Sequence, residues 1–135
     1  MKVNKTTIII SKLFILLSAL SFLSVSFMAF RDPQSVMDLV LVKLDNTDAY
    51  SSIRGVYGGV GLSLFIALMY KLRRNFVEGL GFLTLLWGFY AISRLWTIAS
   101  EGSLGDFGQK WLGIESLFFV LAITLYLFHK SRVRR

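Results

Sequence analysis

The chain has 135 residues, about the size of one domain, and combines 55% hydrophobic and 15% aromatic residues with a mean hydropathy of +0.63. A soluble domain of this length cannot bury that much apolar surface, so the composition implies a lipid bilayer as solvent. Cysteine is absent and His129 is the single histidine, which removes thiolate nucleophiles, disulfides, paired-imidazole haem ligation and the usual zinc sites; no metal and no cofactor is expected. The net charge of +7 is spread in short basic clusters at the ends of apolar runs, without the basic face that a nucleic-acid partner needs.

A short basic start is followed by an apolar run over residues 7–30, interrupted only by Lys12 and serines. Its length, about two dozen residues, suits a membrane-spanning helix better than the shorter apolar core of a cleaved signal peptide. Arg31-Asp32-Pro33 closes this span, with Asp32 a good N-cap and Pro33 suited to a first helical position. The apolar stretch that follows, residues 33–44, is too short to cross a bilayer and predicts a short interfacial helix between helices 1 and 2. Asp45 to Asp48 reads as an acidic turn, after which Ser51-Ser52 can cap the next helix.

Three further spans are expected over residues 53–72, 77–98 and 111–128, the last two joined by a glycine-containing loop. The fold class is therefore all-α, a four-transmembrane-helix bundle forming a single integral membrane domain. With four crossings, Lys2, Lys5, Lys71, Arg73, Arg74, Lys130, Arg132, Arg134 and Arg135 share one side, while Arg31, Lys43, Arg54, Lys110 and most acids share the other. The excess of basic residues puts both termini in the cytoplasm of a bacterial inner membrane.

Three ionisable residues fall within or at the edge of apolar runs on the outer side: Arg54, Arg94 and Glu115. An arginine at the centre of a bilayer costs on the order of 2.5–3.5 kcal/mol on insertion scales, so pairing Arg54 or Arg94 with Glu115 offsets part of that cost. Tyr57 and Tyr90 lie one turn from the two arginines and can add hydroxyls, and Glu101 is placed to reach back to Arg94. One reading is a structural salt-bridge network at the helix ends; the other is an outward-facing polar pocket for a lipid headgroup, a quinone or a membrane-protein partner. Gly55, Gly58, Gly59 and Gly61, with Gly81 and Gly88 in the third span, are expected to serve helix packing. Lys12 is expected to snorkel to a headgroup, and His129, beside Lys130, to face headgroups as well.

The stretch Arg54-Gly55-Val56-Tyr57-Gly58-Gly59 resembles the opening of the second helix in a bacterial family of small membrane proteins, the domain-of-unknown-function family numbered 4345. Pro33, Arg94 with Glu101-Gly102 after it, and Glu115 extend that resemblance over nearly the whole chain. It implies a four-helix membrane module carrying the outer cluster and brings no chemistry with it. A looser likeness to DoxX-like proteins concerns the fold alone.

No nucleophile and base are paired in this pattern, so an enzyme is disfavoured and no catalytic residue is assigned. The function expected is that of a non-enzymatic membrane protein binding a lipid, quinone or partner through the outer cluster. The alternative is a small transporter or channel subunit working as a homo-oligomer. Against it, no span carries a carboxylate at mid-bilayer, where an ion or proton path needs one.

Overall fold

In a computed structural model, which describes residues 4–133, the chain is all-α and built on four long apolar helices, with no strand among the described residues. Its elements are α1 (Lys5–Arg31), α2 (Pro33–Asp38), α3 (Thr47–Ile53), a π-helical turn (Arg54–Gly59), α4 (Val60–Arg74), α5 (Phe76–Glu101) and α6 (Asp106–Val133). Four helical stretches are long and apolar enough to cross a membrane: Lys5–Arg31, Thr47–Arg74, Phe76–Glu101 and Asp106–Arg132. By length and composition the chain is thus a multi-pass membrane protein. Lys2, Arg134 and Arg135, counted above among the orienting charges, lie outside the described residues.

The helices outrun the apolar runs at both ends because capping, rather than hydropathy, decides where they stop. Asp32 accepts from the Gln34 N–H at 3.1 Å and starts α2 with Pro33 in its first turn, as its sequence implies. Thr47–Ile53 is capped instead by Asn46, whose side-chain oxygen accepts from Ala49 N–H at 2.8 Å. Ser51 and Ser52 therefore lie inside a helix and do not cap it, contrary to expectation. Asn75 opens α5 with a reciprocal pair: its carbonyl accepts from Glu78 N–H, and its amide donates to the Glu78 carboxylate at 2.9 Å. Only residues 102–105 separate α5 from α6, and Gly102, at φ 104°, supplies the left-handed exit that a side chain would resist.

The interfacial helix is shorter than the 33–44 expected. It ends at Asp38, and Leu41 takes a left-handed φ of 59°, a conformation that costs a residue with a Cβ roughly 1–2 kcal/mol. Gln34 holds the loop in that shape: its Oε1 accepts from Leu44 N–H at 2.8 Å, and its Nε2 donates to the Val42 carbonyl at 2.9 Å. Leu44 is thereby drawn into a small core with Ala29, Val36 and Met37.

Two compact units divide the chain. One comprises residues 4–15 and 74–133 of the described chain; the other is Leu16–Arg73. In the first, α5 and α6 form an antiparallel hairpin whose close approaches run in register. Gly88 faces the Phe119 ring and Gly81 the Tyr126 ring, each step toward the start of α5 matched by one toward the end of α6. A Cβ on either glycine would stand 3.0 Å from a ring carbon, closer than packed atoms accept. Phe14 packs edge-on to Phe118, which in turn meets Trp87 edge-on at 5.1 Å between centroids.

In the second unit, the buried face of α1 reads Ser18, Ala19, Phe22, Ser26 and Ala29. Gly58 and Gly61 receive that face: Gly58 lies under the Phe30 ring, and Gly61 touches Ser26 and the Phe22 carbonyl. The Ser26 hydroxyl donates to the Gly58 carbonyl at 2.6 Å. In contrast, Gly55 and Gly59 have open space where a Cβ would stand, so they relax the backbone of the π-helical turn and touch no neighbour.

Elsewhere the helices turn large apolar side chains outward, among them Leu13, Phe27, Ile66, Leu85, Phe89 and Trp96. In water such a surface would drive aggregation; against acyl chains it is the expected exterior.

Replacing Gly88 by Leu should collide with Phe119 and cost about 1–3 kcal/mol, the usual range for overpacking, read as a lower melting temperature in detergent. Gly59→Ala should leave that temperature within a degree or two. Equal losses in both variants would mean that the hairpin contact does not hold α5 against α6.

Candidate functional site

Near the closed end of the α5–α6 hairpin, Arg94 stands seven residues before the end of α5, and Glu115 nine residues into α6. At ~1.5 Å per residue both lie roughly 10–14 Å down the hairpin, so antiparallel packing brings them to one depth. Arg94 Nε donates to Glu115 Oε2 at 2.5 Å, and Nη2 donates to Oε1 at 2.8 Å. This bidentate pairing satisfies a carboxylate that is almost wholly buried.

The fork is made through one side of the guanidinium. Two of its five N–H groups are used, and the outer edge (both Nη1 hydrogens and the second on Nη2) meets no partner among the described residues. Arg94 is also the more open partner, its side chain 22% exposed against 3% for Glu115. The carboxylate is thus enclosed and neutralises the charge, while the unused donors belong to the more open partner.

The other cluster residues lie as follows. Tyr90, one turn before Arg94, is part-exposed and stacks at a tilt on Trp87 at 5.9 Å. Glu101 is exposed and does not reach Arg94; its carboxylate accepts from the neighbouring Ser100 hydroxyl at 2.5 Å. Arg54 belongs to the other unit, where its Nε makes a long contact of 3.4 Å with the Phe30 carbonyl. Tyr57 is exposed in the π-helical turn and makes no hydrogen bond among the described residues. Of the two arginines considered for Glu115, it is Arg94 that pairs with it.

A second polar contact in the same unit is not apparent from the sequence. His129 does not face headgroups: it is 3% exposed, and its Nε2 lies 2.9 Å from Ser11 Oγ. Ser11 donates its own proton to the Thr7 carbonyl at 2.9 Å, which leaves its oxygen to accept from an Nε2–H. Phe76 and Phe128 both present edge-to-face contacts to the imidazole, and the Lys12 ammonium stands 5.7 Å from the Phe76 ring. The one hint in the sequence is spacing: Ser11, Ser18 and Ser26 recur at seven and eight residues, on one face of α1, and all are buried. No group of three metal-ligating side chains occurs among the described residues.

A multi-pass α-helical membrane protein with a charge pair locked into one helical hairpin is the class that this architecture defines. The chain belongs to the family described as Domain of unknown function (DUF4345), whose model matches residues 10–126. That span contains Pro33, the π-helical turn, Arg94 and Glu115. No curated protein and no solved structure matches the chain.

Removing Arg94 should leave Glu115 buried and unpaired, so Arg94→Ala is expected to cost about 3–5 kcal/mol. Arg132→Ala, which removes only a stacking contact on Phe128, should cost less than about 1 kcal/mol. In a double-mutant cycle read by unfolding in mixed micelles, Arg94→Ala with Glu115→Ala should cost less than the sum of the singles. Strict additivity would show that the pair contributes no coupling.

Proposed function

We propose that the protein is a non-enzymatic component of a bacterial inner membrane, with both termini in the cytoplasm, and that Arg94 binds the oxygen-bearing head of an amphiphile. An anionic lipid headgroup or a quinone carbonyl has the required chemistry: oxygen acceptors at one end and an apolar body that stays among acyl chains. One observation carries this reading, the guanidinium held by Glu115 on one side with its remaining donors unengaged. A pre-oriented arginine loses little further side-chain freedom when it binds a second acceptor, and at membrane depth water competes weakly for its donors.

The orientation rests on charge. Lys5, Lys71, Arg73, Arg74, Lys130 and Arg132 cluster at the ends of α1, α4 and α6 that would share a side after four crossings. The hairpin end bearing Arg94 and Glu115 then faces outward. Tyr90, one turn before Arg94 and part-exposed, adds an aromatic side chain suited to a flat quinone head or the upper part of an acyl chain.

The experiment is mass spectrometry of molecules that co-purify from gentle detergent, comparing wild type with the double variant Arg94→Gln, Glu115→Gln. The two amides can still bond to each other, which keeps the variant folded while removing the cation. Wild type should carry a near-stoichiometric anionic lipid or quinone, and the folded variant should lose at least about nine-tenths of it, the tenfold effect of roughly 1.4 kcal/mol. An identical profile in both proteins would reduce the pair to a structural clip.

A further inference from the structure

The loop between α2 and α3 presents an open groove of about 660 Å³, lined in part by Asp38, Lys43 and Tyr50, with Leu41 and Val42 at its lip. Three features of this groove point to a ligand. First, it carries opposite charges that are not joined: Lys43 makes no ion pair or hydrogen bond among the described residues, and Asp38 receives only the Gln34 amide, at 2.7 Å. The Tyr50 hydroxyl is likewise unengaged among the described residues.

Second, the lip is apolar and turned outward. Leu41 is 94% exposed, and Leu39, Val40 and Val42 are each about half exposed. The Gln34 bonds and the left-handed backbone at Leu41 hold this tip away from the core of Ala29, Val36, Met37 and Leu44. Strain maintained by specific hydrogen bonds, in order to expose a leucine, calls for an apolar surface that receives it. Third, the groove follows directly on the end of α1, a helix long and apolar enough to cross the membrane, and precedes Thr47–Arg74, another such stretch. It therefore belongs to the level where acyl chains give way to headgroups.

We propose that the groove seats the headgroup of a zwitterionic aminophospholipid, its phosphate toward Lys43 and Tyr50 and its ammonium toward Asp38, while Leu41 and Val42 lie against the acyl chains. The charge pattern selects this class. A purely anionic headgroup would meet Asp38 in the groove lining, and the segment from Arg31 to Arg54 adds Asp32, Asp45 and Asp48 against Arg31 and Arg54. A headgroup carrying both signs is matched on each side, and its own ammonium replaces the water that the Asp38 carboxylate gives up. This site is independent of the Arg94 reading, which calls for a different headgroup on a different unit.

Two measurements on the full-length chain test it. In native mass spectrometry with equal amounts of phosphatidylethanolamine and phosphatidylglycerol, the Arg94→Gln, Glu115→Gln protein, whose hairpin can no longer take an anionic headgroup, should retain the former about fivefold more, the effect of one exposed ion-pair contact. On that background, Asp38→Asn keeps the Gln34 hydrogen bond and Lys43→Ala leaves the backbone alone, and each should bring the ratio close to unity. Because the chain contains no cysteine, Leu41→Cys also gives a single site for a nitroxide label in phosphatidylethanolamine vesicles. That label should collide more often with dissolved oxygen than with an aqueous nickel chelate. The same lipid ratio in all three proteins would overturn the proposal. So would a label freely reached by nickel, or one shielded from both reagents as under a protein partner or a second copy of the chain.

Discussion

A carboxylate buried between two apolar helices sets the terms for everything around it. Lipid tails are as apolar as the side chains they surround, so helices gain little by burying leucines against one another, and close packing and polar contacts decide which faces meet. Glu115 cannot stay charged in its position unless a cation stands at its depth, and Arg94 meets that requirement with two hydrogen bonds. Once this pair is formed, the rotation and register of α5 on α6 are fixed, and the glycines must fall where the large rings are. Gly88 against Phe119 and Gly81 against Tyr126 are that consequence. Further along α6, the contact between Ser11 and His129 repeats the device with a hydroxyl and an imidazole and ties the first turns of α1 to the same helix.

The second unit uses a carbonyl where the first uses a charge. In the π-helical turn the backbone bond runs from Val60 N–H to Gly55, one residue longer than an α-helical step. Such a turn loosens the backbone around it, and Gly58 presents its carbonyl to the Ser26 hydroxyl. Glycine is suited to this place for two separate reasons. At Gly58 and Gly61 the absence of a side chain lets α1 approach; at Gly55 and Gly59 it lets the turn widen. The same widening alters the side-chain spacing of a regular helix, in which Arg54 and Tyr57 would share a face. Arg54 contacts the Phe30 carbonyl, while Tyr57 remains exposed without a hydrogen bond.

The four spans, the break at Asp32-Pro33 and the all-α class were legible in the sequence because each rests on a local signal: the length of an apolar run, or a cap followed by proline. What could not be read has a common physical origin in contacts between distant residues. His129 beside Lys130 has every local mark of a headgroup-facing residue, and only a serine 118 positions away makes it a buried one. The partner of Glu115 had two candidates, since Arg54 and Arg94 were placed at similar depth, and the choice needs the order in which helices pair. The helix ends depart from the apolar runs for a different reason. Hydropathy marks the part of a helix that lies in lipid, whereas Asn46 and Asn75 cap turns that begin where capping and headgroup chemistry take over. The widened turn at Arg54–Gly59 has the composition of an ordinary small-residue packing face, so its geometry leaves no trace in residue types.

The Arg94–Glu115 pair is asymmetric, and the proposed binding role of Arg94 rests on that asymmetry. A salt bridge whose task is to join two helices gains most when both partners are equally covered, because screening by water and headgroups weakens whatever is left open. Here the acid is enclosed while the guanidinium is part-exposed, and the fork is made by the side of the arginine nearer its own helix. The outer edge, which also presents two parallel N–H groups, is the one left over. A lysine at this position would neutralise Glu115 with its whole ammonium and leave no oriented second face. The arrangement thus couples two effects: the carboxylate cancels a buried charge and, by its two hydrogen bonds, fixes the orientation of the guanidinium on which the proposed binding role of Arg94 depends.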